Sequence, residues 1–296
     1  MARSKRPSPL KKNKTLFWFL VPIGAYLAVF FLAPLAYDVY ISFFDYKLGG
    51  EAAFVGLKNY RLLAGDDQYL GSLLTTLIYL VSAVSVEIVL GLAIALLLNR
   101  ESKAMDAIRT VILIPTVFTP LVAGLVWKAL YHPDLGLVTY YLRAIGINIG
   151  RGLTVERSTA LLAVILVDIW EWTPLVVIVM LAGIKGLPVE PFEAAAIDGA
   201  SWPTTLFRIT LPLLRPSMVV ALLIRSLDAL KAFDTIWAIT GGGPGTSTTV
   251  ANLRIYEVGM QNLKIGYAAS LSNVLMILGM ILGYAFVQSL YSKKES

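Results

Sequence analysis

Six stretches of this chain are apolar over more than about 20 residues, the length of helix needed to cross a hydrocarbon layer about 30 Å thick. They run from Leu16 to Ser42, Ser72 to Leu98, Ile108 to Tyr131, Ala160 to Ile184, Ser217 to Thr240 and Ala268 to Leu290. In lipid every backbone amide must find its partner within the protein, which a helix does by itself. The expected fold class is therefore all-α: a polytopic membrane protein with six transmembrane helices. With 57% hydrophobic and 15% charged residues among 296 and a mean hydropathy of +0.73, the chain has more apolar surface than a soluble domain of its size can bury.

The formal charge of +6 does not point to nucleic acid, because Arg3, Lys5, Arg6, Lys11, Lys12 and Lys14 crowd the start with no acid among them. Residues 1–15 read as a cytoplasmic basic tail, and 16–296 as the transmembrane domain. Counted by alternate connections, Lys and Arg favour the side that holds both termini, so both are expected in the cytoplasm, mainly on the strength of that tail. The apolar stretch from Leu16 is too long for a signal-peptide core and reads as a retained helix. Cysteine is absent and His132 is the one histidine, which excludes disulfides, thiolate chemistry and His-pair metal sites. No cofactor, metal or catalytic group is expected.

The connection from Lys185 to Arg215 is neither lipid-like nor a plain linker. Pro188 and Pro191 suit a helix start, and alanines favour helix from Phe192 to Asp198. Gly199 permits a sharp backbone change, Ser201 suits the cap of a second short helix with Pro203 in its first turn, and Pro212 and Pro216 are expected to bound the start of the fifth span. The pattern predicts a helix-turn-helix bracket below the membrane. In the third span Pro115 and Pro120 should loosen or kink the helix. Residues Leu135 to Ile147 suit a short amphipathic helix, lying on the membrane surface or serving as an ordinary loop helix.

This loop resembles the cytoplasmic loop of the ABC importer permease family, with its Glu-Ala-Ala start, a glycine, and an Ile-x-Leu-Pro ending. Here these are Glu193-Ala194-Ala195, Asp198-Gly199-Ala200 and Ile209-Thr210-Leu211-Pro212, in family spacing. Segments Phe54 to Tyr60, Trp170-x-Trp172-Thr173-Pro174, and Phe233-Asp234 followed by Thr240 to Pro244 resemble the sugar-permease branch, of maltose and trehalose type. The resemblance implies that Glu193, Ala194, Ala195, Asp198 and Gly199 form coupling helices that dock on an ATPase subunit. Their chemistry is compatible: alanines allow close approach, the acids offer charge pairing, and the glycine folds the bracket back.

Ionisable groups at membrane depth face a partner or a cavity, because alone they are costly. Arg225, Asp228, Lys231 and Asp234 recur every three residues in the fifth span, and Asp168 and Glu171 lie in the fourth. They form either a neutralising network or a solute site. Carboxylates and guanidinium groups can bond sugar hydroxyls while Trp170, Trp172 or Trp237 stacks on an apolar sugar face. By position, the resemblance implies solute contacts near Asp168, Glu171, Trp172, Leu175, Arg225, Asp228 and Ala229. Glu87 in the second span is expected to bond a neighbouring span, and His132 to sit in a turn.

The expected function is that of a permease subunit of an ATP-driven importer, passing a sugar, with a disaccharide such as trehalose or maltose favoured and glycerol 3-phosphate as the alternative. The resemblance implies a second homologous permease, two ATPase subunits and an extracytoplasmic solute-binding protein as partners, in the cytoplasmic membrane of a prokaryote. The glycine run Gly241 to Gly245 lacks the lysine of a phosphate-binding loop, so nucleotide hydrolysis falls to separate subunits. A membrane enzyme would need a catalytic set that this chain does not offer. A passive channel would differ by carrying solute without ATP.

Overall fold

A computed structural model describes residues 9–291. The tail cations Arg3, Lys5 and Arg6 lie outside the described residues, as do the side chains of Lys11, Lys12 and Lys14. The chain divides into two compact units, Met1–Gly65 with Ile255–Val274 and Asp66–Arg254 with Leu275–Ser296.

In the first unit, helices α1 (Pro9–Leu27) and α2 (Ala33–Ile41) form one rod, joined by a wide π turn at Ala28–Leu32. The turn sits just before Pro34, and Ala33 N–H donates to Ala28 O, five residues back. Proline has no N–H, and its ring crowds the carbonyl four residues earlier, so a wider turn lets the helix pass. No residue in the most apolar window of this rod is buried, as a lipid-facing helix requires. A two-residue hairpin follows, β1 (Phe44–Asp45) against β2 (Ala53–Phe54), and then α3 (Lys58–Ala64). The Phe54 to Tyr60 motif is a latch for this corner: Asn59 Nδ2 donates to Ser42 O (2.8 Å) and Phe44 O (2.9 Å), and Tyr60 OH meets Ser42 Oγ at 2.8 Å. From the far end of the same unit Asn273 Nδ2 donates to Tyr60 OH, and Gly266 N–H to Tyr46 O.

The second unit opens with α4 (Asp67–Leu98), capped by the Asp66 carboxylate accepting from Gln68 and Tyr69 N–H. The third expected span, Ile108 to Tyr131, is not one helix. It is built as α5 (Lys103–Ile112), α6 (Ile114–Val117) and α7 (Pro120–Leu130), with Phe118 and Thr119 extended between the last two. A residue before proline is pushed out of the helical region, and Thr119, at ψ 145°, precedes Pro120. The expected loosening is thus a full break. The loop helix α8 (Leu137–Ala144) falls within Leu135 to Ile147 as expected. Next come α9 (Ala160–Lys185), α10 (Glu190–Ile197) and α11 (Trp202–Thr205), then a π turn at Leu206–Thr210 that leads directly into α12 (Leu211–Leu230).

Two expectations are corrected here. Pro212 and Pro216 do not bound the fifth span; they lie inside a continuous helical run from Trp202 to Leu230. The device is the one seen at Pro34, with Leu211 N–H donating to Leu206 O. The fifth span also stops at Leu230 rather than Thr240, and a separate α13 (Asp234–Ile239) follows. The four charges spaced by three therefore do not share one helix. Arg225 and Asp228 are on α12, Lys231 is its C-cap and Asp234 opens α13. Helix α14 (Ala251–Tyr256) and the long α15 (Ile265–Tyr291) complete the chain. Among the described residues five helices are long and apolar enough to cross a membrane, and α7 is a shorter apolar one. The all-α polytopic class stands, with the third of the six segments broken.

Small residues bring the helices of this unit together. A Cβ on Gly91 of α4 would collide with Val176 of α9, one on Gly183 with Ser217 and Leu214 of α12, and one on Gly124 of α7 with Ala238 of α13. Tyr79 and Asp168 border one cavity and Gly91 meets Val176 further along, so α4 and α9 run parallel. Helix α12 runs the other way, with Ser217 beside Gly183 and Arg225 beside Asp168.

Candidate functional site

At the centre of the second unit lies Arg225, whose side chain is 1% exposed. Its Nε donates to Glu87 Oε2 (2.7 Å) and its Nη2 to Glu87 Oε1 (3.0 Å), a two-point pairing between α12 and α4. Nη2 also donates to Asp168 Oδ2 on α9 (2.9 Å), and Nη1 to Asp228 Oδ2 one turn along α12 (2.7 Å). Trp172 of α9 covers the guanidinium, with Cζ 4.9 Å from the ring centroid. Glu87 is completely buried and Asp168 nearly so. An unpaired charge at such depth is prohibitive, and one planar fork meets three carboxylates from three helices. The expected bond from Glu87 to a neighbouring span is found, on Arg225.

Beside this cluster is a cavity of about 280 Å³, at the lower edge of the range for small-molecule sites. Its polar wall is Tyr79, Asp168, Trp172, Asp228, Lys231 and Asp234; Pro120, Ala229 and the stretch Ala232 to Thr235 complete it. The break after Leu230 makes this wall possible, because it turns Lys231 to Asp234 across the end of α12 instead of continuing the helix. Lys231 Nζ lies 3.8 Å from Asp228 Oδ1. The wall thus carries Asp168, Asp228 and Asp234 against one exposed ammonium.

Of the residues expected to contact solute, Asp168, Trp172, Asp228 and Ala229 are on the wall, and Arg225 stands behind it with four of its five N–H donors bonded to carboxylates. Glu171 and Leu175 are not among the lining residues. Glu171 is completely buried, and neither of its oxygens has a hydrogen-bond partner of good geometry among the described residues. Trp170 packs edge-on to Trp127 at 5.4 Å and near Phe118, so of the three candidate indoles Trp172 alone borders the cavity. Tyr79 was not anticipated. Its signal lies in the sequence all the same: Ser72, Thr76, Tyr79 and Glu87 fall on one buried face of α4 at helical spacing. His132 is a turn residue, its Nδ1 accepting from the N–H groups of Asp134 and Leu135.

The bracket is formed as its residues suggest. Pro191 sits in the first turn of α10, Ala195 is its buried residue, and Gly199 takes φ +67°, a conformation that costs a side chain strain. Ser201 precedes α11, although its hydroxyl meets Thr204 Oγ1 rather than a backbone amide. Glu193, Ala194, Asp198 and Gly199 are exposed, and so are the large apolar side chains of Ile197 (86%), Trp202 (69%) and Phe207 (66%). The glycine run is likewise structural: Thr248 and Thr249 hydroxyls donate to Gly243 O and Gly242 O.

Comparison with known proteins matches this architecture. The trehalose/maltose transport system permease protein MalF of Thermococcus litoralis is 33% identical over 276 residues, 93% of each chain. The sn-glycerol-3-phosphate transport system permease protein UgpA of Yersinia enterocolitica is 31% identical over 282 residues, 94% of each. A crystal structure of a bacterial alginate ABC transporter, in complex with an alginate pentasaccharide-bound periplasmic protein, contains a chain that superposes with a TM-score of 0.82. That match spans 96% of this chain and 97% of the other at 21% identity, which establishes a common fold. The family described as the binding-protein-dependent transport system inner membrane component matches residues 69–295, and the chain belongs to that family, the membrane permeases of ABC importers.

Proposed function

We propose that this permease passes a neutral sugar, of the size of trehalose or maltose, through the cavity between α4, α9, α12 and α13. The observation that carries the reading is the state of Arg225. Its guanidinium is bonded to Glu87, Asp168 and Asp228, is covered by Trp172 and does not line the cavity, so it stands back from any phosphate there. What remains on the wall is rich in acceptors, three aspartates and a tyrosine hydroxyl, beside the indole of Trp172, with Lys231 as its cation. Carboxylates bond hydroxyls well and repel anions, and an indole supplies the apolar surface that a sugar ring stacks on. The name of the Thermococcus litoralis relative agrees with this cargo. The name of the Yersinia enterocolitica relative keeps glycerol 3-phosphate as the rival, for which Lys231 would be the contact.

In this reading Glu193, Ala194, Ala195, Asp198 and Gly199 dock the bracket on an ATPase subunit, and exposed Ile197, Trp202 and Phe207 supply the apolar part of that contact. The bracket and both termini face the cytoplasm. A second, homologous permease faces this one, two ATPases sit below the pair, and an external solute-binding protein delivers the sugar. ATP-driven closure of the ATPases moves the brackets and exchanges outward for inward access to the cavity. Uptake into proteoliposomes that contain the whole importer tests the cargo. Labelled trehalose or maltose should accumulate and be competed by the unlabelled sugar; accumulation of glycerol 3-phosphate with no response to either sugar would overturn the reading.

A further inference from the structure

A second cavity, also about 280 Å³, lies away from the sugar site, where α4, α5 and α9 meet at the end of the second unit nearest the bracket. Its body is apolar. Val177, Leu181 and Ala182 of α9 line one side, Leu98 of α4 and Ile112 of α5 the other. On α9 the lining runs from Val177 to Lys185, about 12 Å along the axis at 1.5 Å per residue. Because α4 and α9 are parallel, their last residues, Leu98 and Lys185, come to one level, and two cations mark that end: Lys185 and Arg109. Lys185 is exposed and makes no ion pair among the described residues. Arg109 is anchored by Nη2, which donates to Leu98 O (2.5 Å) and Arg100 O (3.0 Å), and by its pair with Asp106; its Nε–H has no acceptor among the described residues.

The surroundings identify the occupant. Around the groove Leu97, Ile108, Val111, Ile114 and Ile178 are all exposed, so it opens onto an apolar surface rather than into water. A long apolar slot with cations at its membrane-surface end has the polarity of one phospholipid, acyl chain inward and anionic headgroup at Arg109 and Lys185. We infer that this groove holds an anionic phospholipid of the leaflet on the bracket side, its headgroup bridging the α5 and α9 ends. Lys185 is followed by the turn into α10, so the lipid would sit where α9 hands over to the bracket and would favour one placement of it. This inference does not depend on which solute is carried.

The test is photocrosslinking of the purified importer, with its ATPase subunits, in nanodiscs carrying a trace of diazirine-tailed phosphatidylglycerol or of the matching phosphatidylcholine. Peptides covering 108–113 and 177–185 should be labelled by phosphatidylglycerol in preference. Lys185→Gln, at an exposed position, should lower that preference about fivefold, the worth of one charge near an anionic surface. Ala182→Phe, which fills the slot, should abolish labelling while ATP hydrolysis in detergent persists. Equal labelling by both lipids, indifference to Lys185→Gln, or peptides of the partner permease crosslinked in the groove instead of lipid would each overturn the inference.

Discussion

The Arg225 cluster and the bracket both concentrate charge, and they use it in opposite ways. In the cluster, one guanidinium ties α12 to α4 and α9, and two of its carboxylates, on Glu87 and Asp168, are almost without solvent contact. In the bracket, Glu193 and Asp198 are exposed and make no ion pair among the described residues, beside uncovered Ile197 and Trp202. Buried charges satisfied within the chain hold a structure together; exposed charges beside bare apolar side chains await another protein. The contrast predicts that damage to the first region is read in folding and damage to the second in transport alone.

The largest effect is expected from Arg225→Ala, which leaves Glu87 and Asp168 buried without their cation. A loss of about 3–5 kcal/mol should follow, seen as a collapse of monodisperse protein in detergent and a large drop in melting temperature. Glu87→Gln keeps the shape and gives up the charge, at a cost of about 1.5–3 kcal/mol; an unchanged melting temperature would show that shape, not charge, is what α4 contributes. Gly199→Val forces a branched side chain into a left-handed turn at a cost of about 1–3 kcal/mol, confined to the bracket. ATP hydrolysis should then continue while uptake fails, and normal uptake would break the comparison. For Asp228→Ala, on the cavity wall, uptake should need about tenfold more solute for half-maximal rate, the equivalent of one hydrogen bond at about 1.4 kcal/mol. Unchanged uptake with lowered stability would move Asp228 from the cavity to the scaffold. The smallest change in stability, within about 0.5 kcal/mol, belongs to Glu193→Lys, which should nonetheless uncouple hydrolysis from uptake.

What could be read from the residues alone follows the same divide. The long spans announce themselves by composition, and the bracket by proline, alanine and glycine at positions where each has a local mechanical reason. Glu87 could be assigned a partner in kind, because a carboxylate in lipid must have one, but nothing local names Arg225, 138 positions later. The end of α12 at Leu230 was hidden for a different cause. No proline or glycine marks Lys231 to Phe233, and the apolar pattern runs through it, so the break rests on tertiary surroundings. The break before Pro120 was visible, but its extent was not. The resemblance places Glu171 among the solute contacts by position, whereas one helical step of about 100° separates it from Trp172 and it does not line this cavity.

Gly183 gives the bracket a mechanical meaning. The two arms that leave the bracket, α9 and α12, touch there with almost no side chain between them, since a single added carbon would strike Ser217 and Leu214. A hairpin pinched so near its tip cannot splay. In the proposed mechanism a push on the bracket would reach both arms together, with the carboxylates of Asp168 and Asp228 at their far end as a single jaw.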